Sequence, residues 1–161
     1  MTCEHCGAAM RLDRDRSLFL CDYCHAQAIP QAGDDGVLVL EPVKAKCPMC
    51  HIAMNDATLD SYSLTYCQRC RGMAIAMDDL QPVIASIRSH RDAPAAFLAP
   101  RPEGDAARGI DCPNCGAAMD AHPYGGGGNV NVDSCEACGI LWLDGGELRK
   151  IASAADHAAY T

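Results

Sequence analysis

Cys112-Pro113-Asn114-Cys115-Gly116 and, with nineteen residues between the two cysteine pairs, Cys135-Glu136-Ala137-Cys138-Gly139-Ile140-Leu141-Trp142-Leu143-Asp144-Gly145-Gly146-Glu147-Leu148 decide how this chain folds. Each Cys-x-x-Cys pair can close a tight knuckle with two sulfurs turned the same way. The interval between the pairs suits two knuckles facing each other across a hairpin. Four thiolates then form a tetrahedron around one Zn²⁺ at about 2.3 Å per bond.

The arrangement occurs twice more upstream. Cys3, Cys6, Cys21 and Cys24 make a first foursome with fourteen residues between the pairs. Cys47, Cys50, Cys67 and Cys70 make a second with sixteen. The third is Cys112, Cys115, Cys135 and Cys138, and together the three use all 12 cysteines of the 161-residue chain. A threefold repeat of one small unit therefore organises the protein. Two Phe and one Trp cannot build one large core, and small modules then need staples. Disulfides are the competing staple. The sequence carries no basic-then-apolar leader and no apolar run long enough to span a bilayer. A cytoplasmic location is expected, where thiols stay reduced and free to bind metal.

Each interval reads as a β-hairpin. In the first unit, residues 10–12 and 17–20 flank the polar turn Asp13-Arg14-Asp15-Arg16. In the second, Ser63-Leu64-Thr65-Tyr66 leads into the second knuckle after a turn near Asp60. In the third, Asn129-Val130-Asn131-Val132 alternates as a strand does, behind a tip of four glycines at 125–128. Gly7, Gly116 and Gly139 follow knuckle cysteines, where the backbone must turn sharply. His5, His25 and His51 lie in or beside knuckles. With four cysteines in every unit they read as exposed neighbours of the site rather than ligands.

Counted from the last cysteine of each unit, Asp79 and Glu147 fall at the same place, as do Leu80 and Leu148. A helix is expected from about Asp78 to Ser89, with Leu80, Val83, Ile84 and Ile87 as its apolar stripe. Pro82 is tolerable there only in the first turn. That stripe suits a core or a partner interface equally. A second helix is expected from Glu147 to about Ala155, with Asp144 and Glu147 as a capping box. Val37-Leu38-Val39-Leu40 reads as a strand trailing the first unit. The resulting expectation is a small metal-stabilised α+β chain of three tandem four-cysteine zinc ribbons, the second and third each followed by a short helix. Residues 1–46 hold ribbon one and its strand, and 47–90 hold ribbon two and its helix. Residues 91–110 form a Pro/Gly linker that isolates ribbon three, over 111–161. Trp142 is expected to pack over the third ribbon and clamp the following helix, with Leu141 and Leu143 pointing the opposite way.

The run from Cys112 to Leu148, with both knuckles and the Trp-Leu-Asp-Gly-Gly-Glu-Leu tail, resembles the transcription factor IIB-type zinc-ribbon family found in many small bacterial proteins. Residues 47–80 resemble the same family more loosely, with Gly72 to Leu80 in place of the tail. The first unit matches a generic zinc ribbon. The resemblance implies Zn²⁺ on the cysteines, residue by residue, and no catalytic residues.

Four thiolates leave no open position for a substrate or water, so a structural site and not an enzyme is expected. Iron is the alternative metal, since four-thiolate sites accept both. The formal charge is −8, and each Zn²⁺ on four thiolates adds roughly −2 more. Such a field opposes nucleic acid and anionic membranes. Arg11, Arg14 and Arg16 at one hairpin, and Arg69 with Arg71 at one knuckle, are the local features in favour of nucleic acid. The expected role is an adaptor or assembly subunit that binds another protein or itself. Nucleic-acid binding is the alternative.

Overall fold

Among the described residues, ten strands and two helices follow the cysteine units in order. The structure is a computed structural model and describes residues 1–16, 18–90, 109–124 and 130–154. Most of the expected linker and the four-glycine tip lie outside these residues.

The first unit forms a three-stranded antiparallel sheet from β1 (Met10–Asp13), β2 (Leu18–Cys21) and β3 (Gln27–Ala28). Leu12 and Phe19 pair across β1 and β2 and are its buried residues, besides Cys3 and Cys21.

The other strands make one seven-stranded antiparallel sheet, in the order β4-β5-β6-β7-β10-β9-β8. They are β4 (Val37–Lys46), β5 (Ala53–Leu59), β6 (Tyr62–Tyr66), β7 (Met73–Ala76), β8 (Asp120–Pro123), β9 (Asn131–Cys135) and β10 (Ile140–Leu143). Two readings from sequence are corrected here. The strand after the first ribbon does not stay with it: β4 is ten residues long and pairs with β5 of the second unit. As an edge strand it can accommodate Pro42 at a register shift, and Lys44 and Lys46 guard its free side. The third ribbon is not isolated either. Its β10 pairs antiparallel with β7, so a single sheet runs through both units.

The β7–β10 register matches Trp142 with Ala74. Each lies four residues past the last cysteine of its unit. The two ribbons thus meet through equivalent strands about an approximate two-fold axis. The pairing works because one partner is large and the other small.

Alternation along these strands divides the buried side chains between two faces. On one face Leu64, Tyr66, Met73, Ile75, Val132, Leu141 and Leu143 join Leu80, Val83 and Ile84 of α1 (Met77–Ser89) and Leu148 and Ile151 of α2 (Glu147–Ser153). The apolar stripe of the first helix is therefore core. α1 begins ahead of Asp78, which puts Pro82 in its second turn, where it forgoes one backbone bond. Arg88, near its end, donates to the carbonyls of Ile151, Ala152 and Ala154 at 3.1–3.3 Å. These are the orphan acceptors at the end of α2, and a cation also suits that negative pole. On the opposite face, Trp142 and Ala74 share a cluster with Met54, Ile110, Met119 and the buried cysteines Cys47, Cys67, Cys112 and Cys135.

Candidate metal centres

Five of the six knuckles are built alike. The N–H of the first cysteine donates to the carbonyl five residues on, and the N–H four residues on donates back to that cysteine's carbonyl, at 2.7–2.9 Å. Cys3, Cys21, Cys47, Cys67 and Cys112 each begin such a turn. At the sixth, Cys135 pairs with Ile140 within the sheet, and Gly139 donates to the Glu136 carbonyl at 3.2 Å rather than to that of Cys135.

The turn needs a left-handed residue at its end. Gly7, Gly116 and Gly139 supply it with φ of 75°, 75° and 64°. At the same place in the other knuckles, His25, His51 and Arg71 adopt φ of 59°, 59° and 61°. A non-glycine residue accepts that conformation at a cost of about 1–2 kcal/mol. His5, His25 and His51 are all exposed.

The structure brings the cysteines together in the three expected foursomes: Cys3, Cys6, Cys21 and Cys24; Cys47, Cys50, Cys67 and Cys70; Cys112, Cys115, Cys135 and Cys138. Within each, all four sulfurs lie within 4.8 Å of one another. A tetrahedron with bonds of about 2.3 Å has an edge of about 3.8 Å. The Sγ–Sγ distances are 3.5 Å for Cys3–Cys24 and Cys6–Cys21, 3.6 Å for Cys47–Cys70 and 3.7 Å for Cys115–Cys135. A disulfide requires about 2.05 Å, and all twelve cysteines are free thiols. The donor set therefore fits a four-coordinate ion of zinc's size.

The thiols differ in their electrostatics. The N–H of Cys24 aims at the Cys21 sulfur and, helped by that of Tyr23, holds its thiol down at about 6 against the effect of burial. The Ala117 N–H and then the neighbouring thiols lower Cys115 to about 7. Burial instead pushes Cys47 and Cys70 up. Four thiolates this close repel one another, so protons settle unequally among them. A divalent cation lets all four ionise together.

The sites differ in their surroundings. In the second no cysteine is exposed, and the N–H groups of Cys50 and Gly72 reach the sulfurs of Cys47 and Cys70 at 3.3 and 3.4 Å. In the third only Cys115 is exposed, and in the first both Cys6 and Cys24 are.

Trp142 is fully buried, but not where the sequence reading puts it. It lies on the face away from the helices, among the cysteines of the second and third sites. Leu141 and Leu143 hold the helices instead. The indole lies so close to the second unit that a Cβ added at Gly72 would overlap its six-membered ring. A Cβ at Gly145 would likewise overlap the Cys70 carbonyl. The tail of ribbon three is thus pressed onto the last knuckle of ribbon two. These two contacts were not anticipated; the signal was a glycine two places after Cys70 and a second glycine before α2.

The expected capping box is present in its reciprocal half, and Asp144 meets the indole as well. Asp144 Oδ1 accepts from the indole N–H at 3.0 Å, and its backbone N–H donates to Glu147 Oε2 at 2.7 Å. The residue that caps α2 is Gly146, with φ of 91°.

Four of the five arginines read as local basic features are paired; Arg69 is exposed, with no ion pair among the described residues. Arg11 bonds Asp22, Arg14 bridges to Glu41 and Asp56, Arg16 meets Asp13, and Arg71 meets Asp34, at 3.0–3.9 Å. Arg71 holds the Asp34 carboxyl below its ordinary range. No helix among the described residues is long and apolar enough to cross a membrane.

A family model described as a transcription factor zinc-finger, of the zinc-ribbon type, matches residues 46–86 and 111–154, more than half of the chain. No curated protein and no solved structure matches it.

Proposed function

Because the chain belongs to the transcription factor IIB-type zinc-ribbon family, we propose that it is a non-catalytic zinc protein, a protein-interaction adaptor or assembly subunit held rigid by three structural ions. Each foursome closes its coordination sphere with protein sulfur, so the ion has no position left for a reacting ligand. Its work is to hold knuckles and strands that have too little apolar core to stand alone.

The observation that carries the adaptor reading is the fate of the arginines. A surface that reads phosphates keeps its cations available to the backbone. Here Arg11, Arg14, Arg16 and Arg71 remain exposed, but each has a carboxylate of the same chain beside it that offsets the positive potential a phosphate would meet. By contrast, Tyr23 is 81% and Ile29 78% exposed on ribbon one. Large apolar side chains presented to solvent suit a protein surface more than a polyanion.

Two measurements test this reading. Elemental analysis of the reduced, purified protein should give about three zinc ions per chain. A folded, metal-free, disulfide-bonded preparation contradicts it, and iron in place of zinc corrects the metal alone. Titration with random duplex DNA at physiological salt should give weak or undetectable binding, since the acidic field opposes it. Tight binding with a steep salt slope, lost when Arg11, Arg14 and Arg16 become Ala, would establish the nucleic-acid alternative.

A further inference from the structure

We propose that the first site, formed by Cys3, Cys6, Cys21 and Cys24, is an exchange site. It yields its ion to an external chelating acceptor while the second and third sites keep theirs. The proposal rests on the zinc reading above and concerns how unequally this chain's own residues hold three ions.

Access to sulfur is the first reason. A chelator displaces a thiolate only where it can reach the metal. The first site presents Cys6 and Cys24 to solvent, the third presents Cys115, and the second presents none. The surrounding structure is the second reason. The buried cysteines of sites two and three share one apolar cluster with Met54, Met119 and Trp142, so neither site opens without disturbing the other. No cysteine of the first site belongs to either large cluster. Its three-stranded sheet ends in a strand of two residues and does not join the seven-stranded sheet.

The junction is the third reason. A cleft of about 620 Å³ lies at the junction, lined by Met1 and Phe19 of ribbon one and by Val39, Leu40 and Pro42. Across the same junction Arg14 reaches Glu41 and Asp56, and its side chain is 66% exposed. Exposed ion pairs add little stability and are screened by salt. Few buried contacts and weak surface links are what place a segment at the low end of local opening free energies.

The exchange itself is ligand substitution. Bonds from the ion to the Cys6 and Cys24 sulfurs break first, and nitrogen or oxygen donors of the acceptor take their places. The bonds to Cys3 and Cys21 follow, and the ion leaves with the acceptor. The freed thiolates take up protons from water according to their basicity, and no electrons are transferred.

The test uses the full chain loaded with zinc. It is challenged with excess EDTA, zinc loss is followed over time, and freed thiols are trapped with iodoacetamide and located by peptide mass spectrometry. One ion of three should leave about tenfold faster than the others or more, as the spread of local opening free energies allows. The early label should fall on Cys3, Cys6, Cys21 and Cys24. A single rate for all three ions, or early label on the second or third foursome, overturns the proposal. Elemental analysis of the starting protein keeps the two claims apart. A folded, metal-free, disulfide-bonded starting protein contradicts the zinc reading, while the labelling order alone decides the exchange proposal.

Discussion

Cys135→Ser is expected to release the ion of the third site and to loosen the second unit along with the third. Structural zinc contributes about 10–16 kcal/mol in small fingers. A whole domain has a net stability of about 5–15 kcal/mol, so ribbon three cannot stay folded without its ion. When it unfolds, β7 loses its pairing with β10, and α1 loses Leu141, Leu143, Leu148 and Ile151 as packing partners. Arg88 also loses the three carbonyls it serves. Hydrogen exchange with mass spectrometry should show residues 77–89 exchanging as freely as 147–153. The β5–β6 hairpin, held by its own ion at Cys47, Cys50, Cys67 and Cys70, should remain protected. Full protection of α1 beside an unfolded third ribbon would restore the picture of independent modules.

Trp142→Ala is expected to cost about 3–5 kcal/mol, the usual range for truncating a large buried aromatic side chain. All three ions should stay bound, since no sulfur is touched. The interface reading makes a sharper demand. Gly72 has no side chain because the indole occupies that space. Gly72→Ala should be strongly destabilising in the presence of Trp142 and much milder when Trp142 is already Ala. A coupling of about 1–3 kcal/mol between the two changes, read by chemical denaturation of the single and double variants, is the expected result. Additive effects would mean that the indole does not rest on ribbon two.

The candidate site was almost wholly legible, because metal binding of this kind is a local code. A Cys-x-x-Cys turn carries its own backbone hydrogen bonds, and a second knuckle at hairpin distance needs only one short loop to meet it. What remained hidden was how each site is surrounded. Nothing in Cys3-Glu4-His5-Cys6 or Cys47-Pro48-Met49-Cys50 announces that one foursome has two cysteines in solvent and another none. His25, His51 and Arg71 show a related limit. Their left-handed backbone follows from the knuckle, although the residue types argue against it.

Elements decided by their neighbours were harder to read. The apolar stripe of Leu80, Val83 and Ile84 reveals a helix face that needs covering, but not that α2 and a shared sheet cover it. Residues 37–40 read as a strand, yet pairing with β5 carries that strand on to Lys46, through a proline that an edge position tolerates. Asp144 and Glu147 make the backbone-to-carboxylate bond their capping-box spacing suggests, but nothing in the sequence shows that the indole N–H also takes an Asp144 carboxylate oxygen.

The sequence by itself determined three four-thiolate sites, their hairpins, and membership in a zinc-ribbon family. These follow from contacts between residues a few tens of positions apart at most. Only the tertiary structure decided that ribbons two and three share one sheet while ribbon one keeps its own. That outcome rests on a large-to-small match between Trp142 and Ala74, and on two glycines that let backbone and ring approach. A match of shapes across roughly seventy residues leaves no periodicity in the chain, because it exists only once β7 and β10 lie side by side.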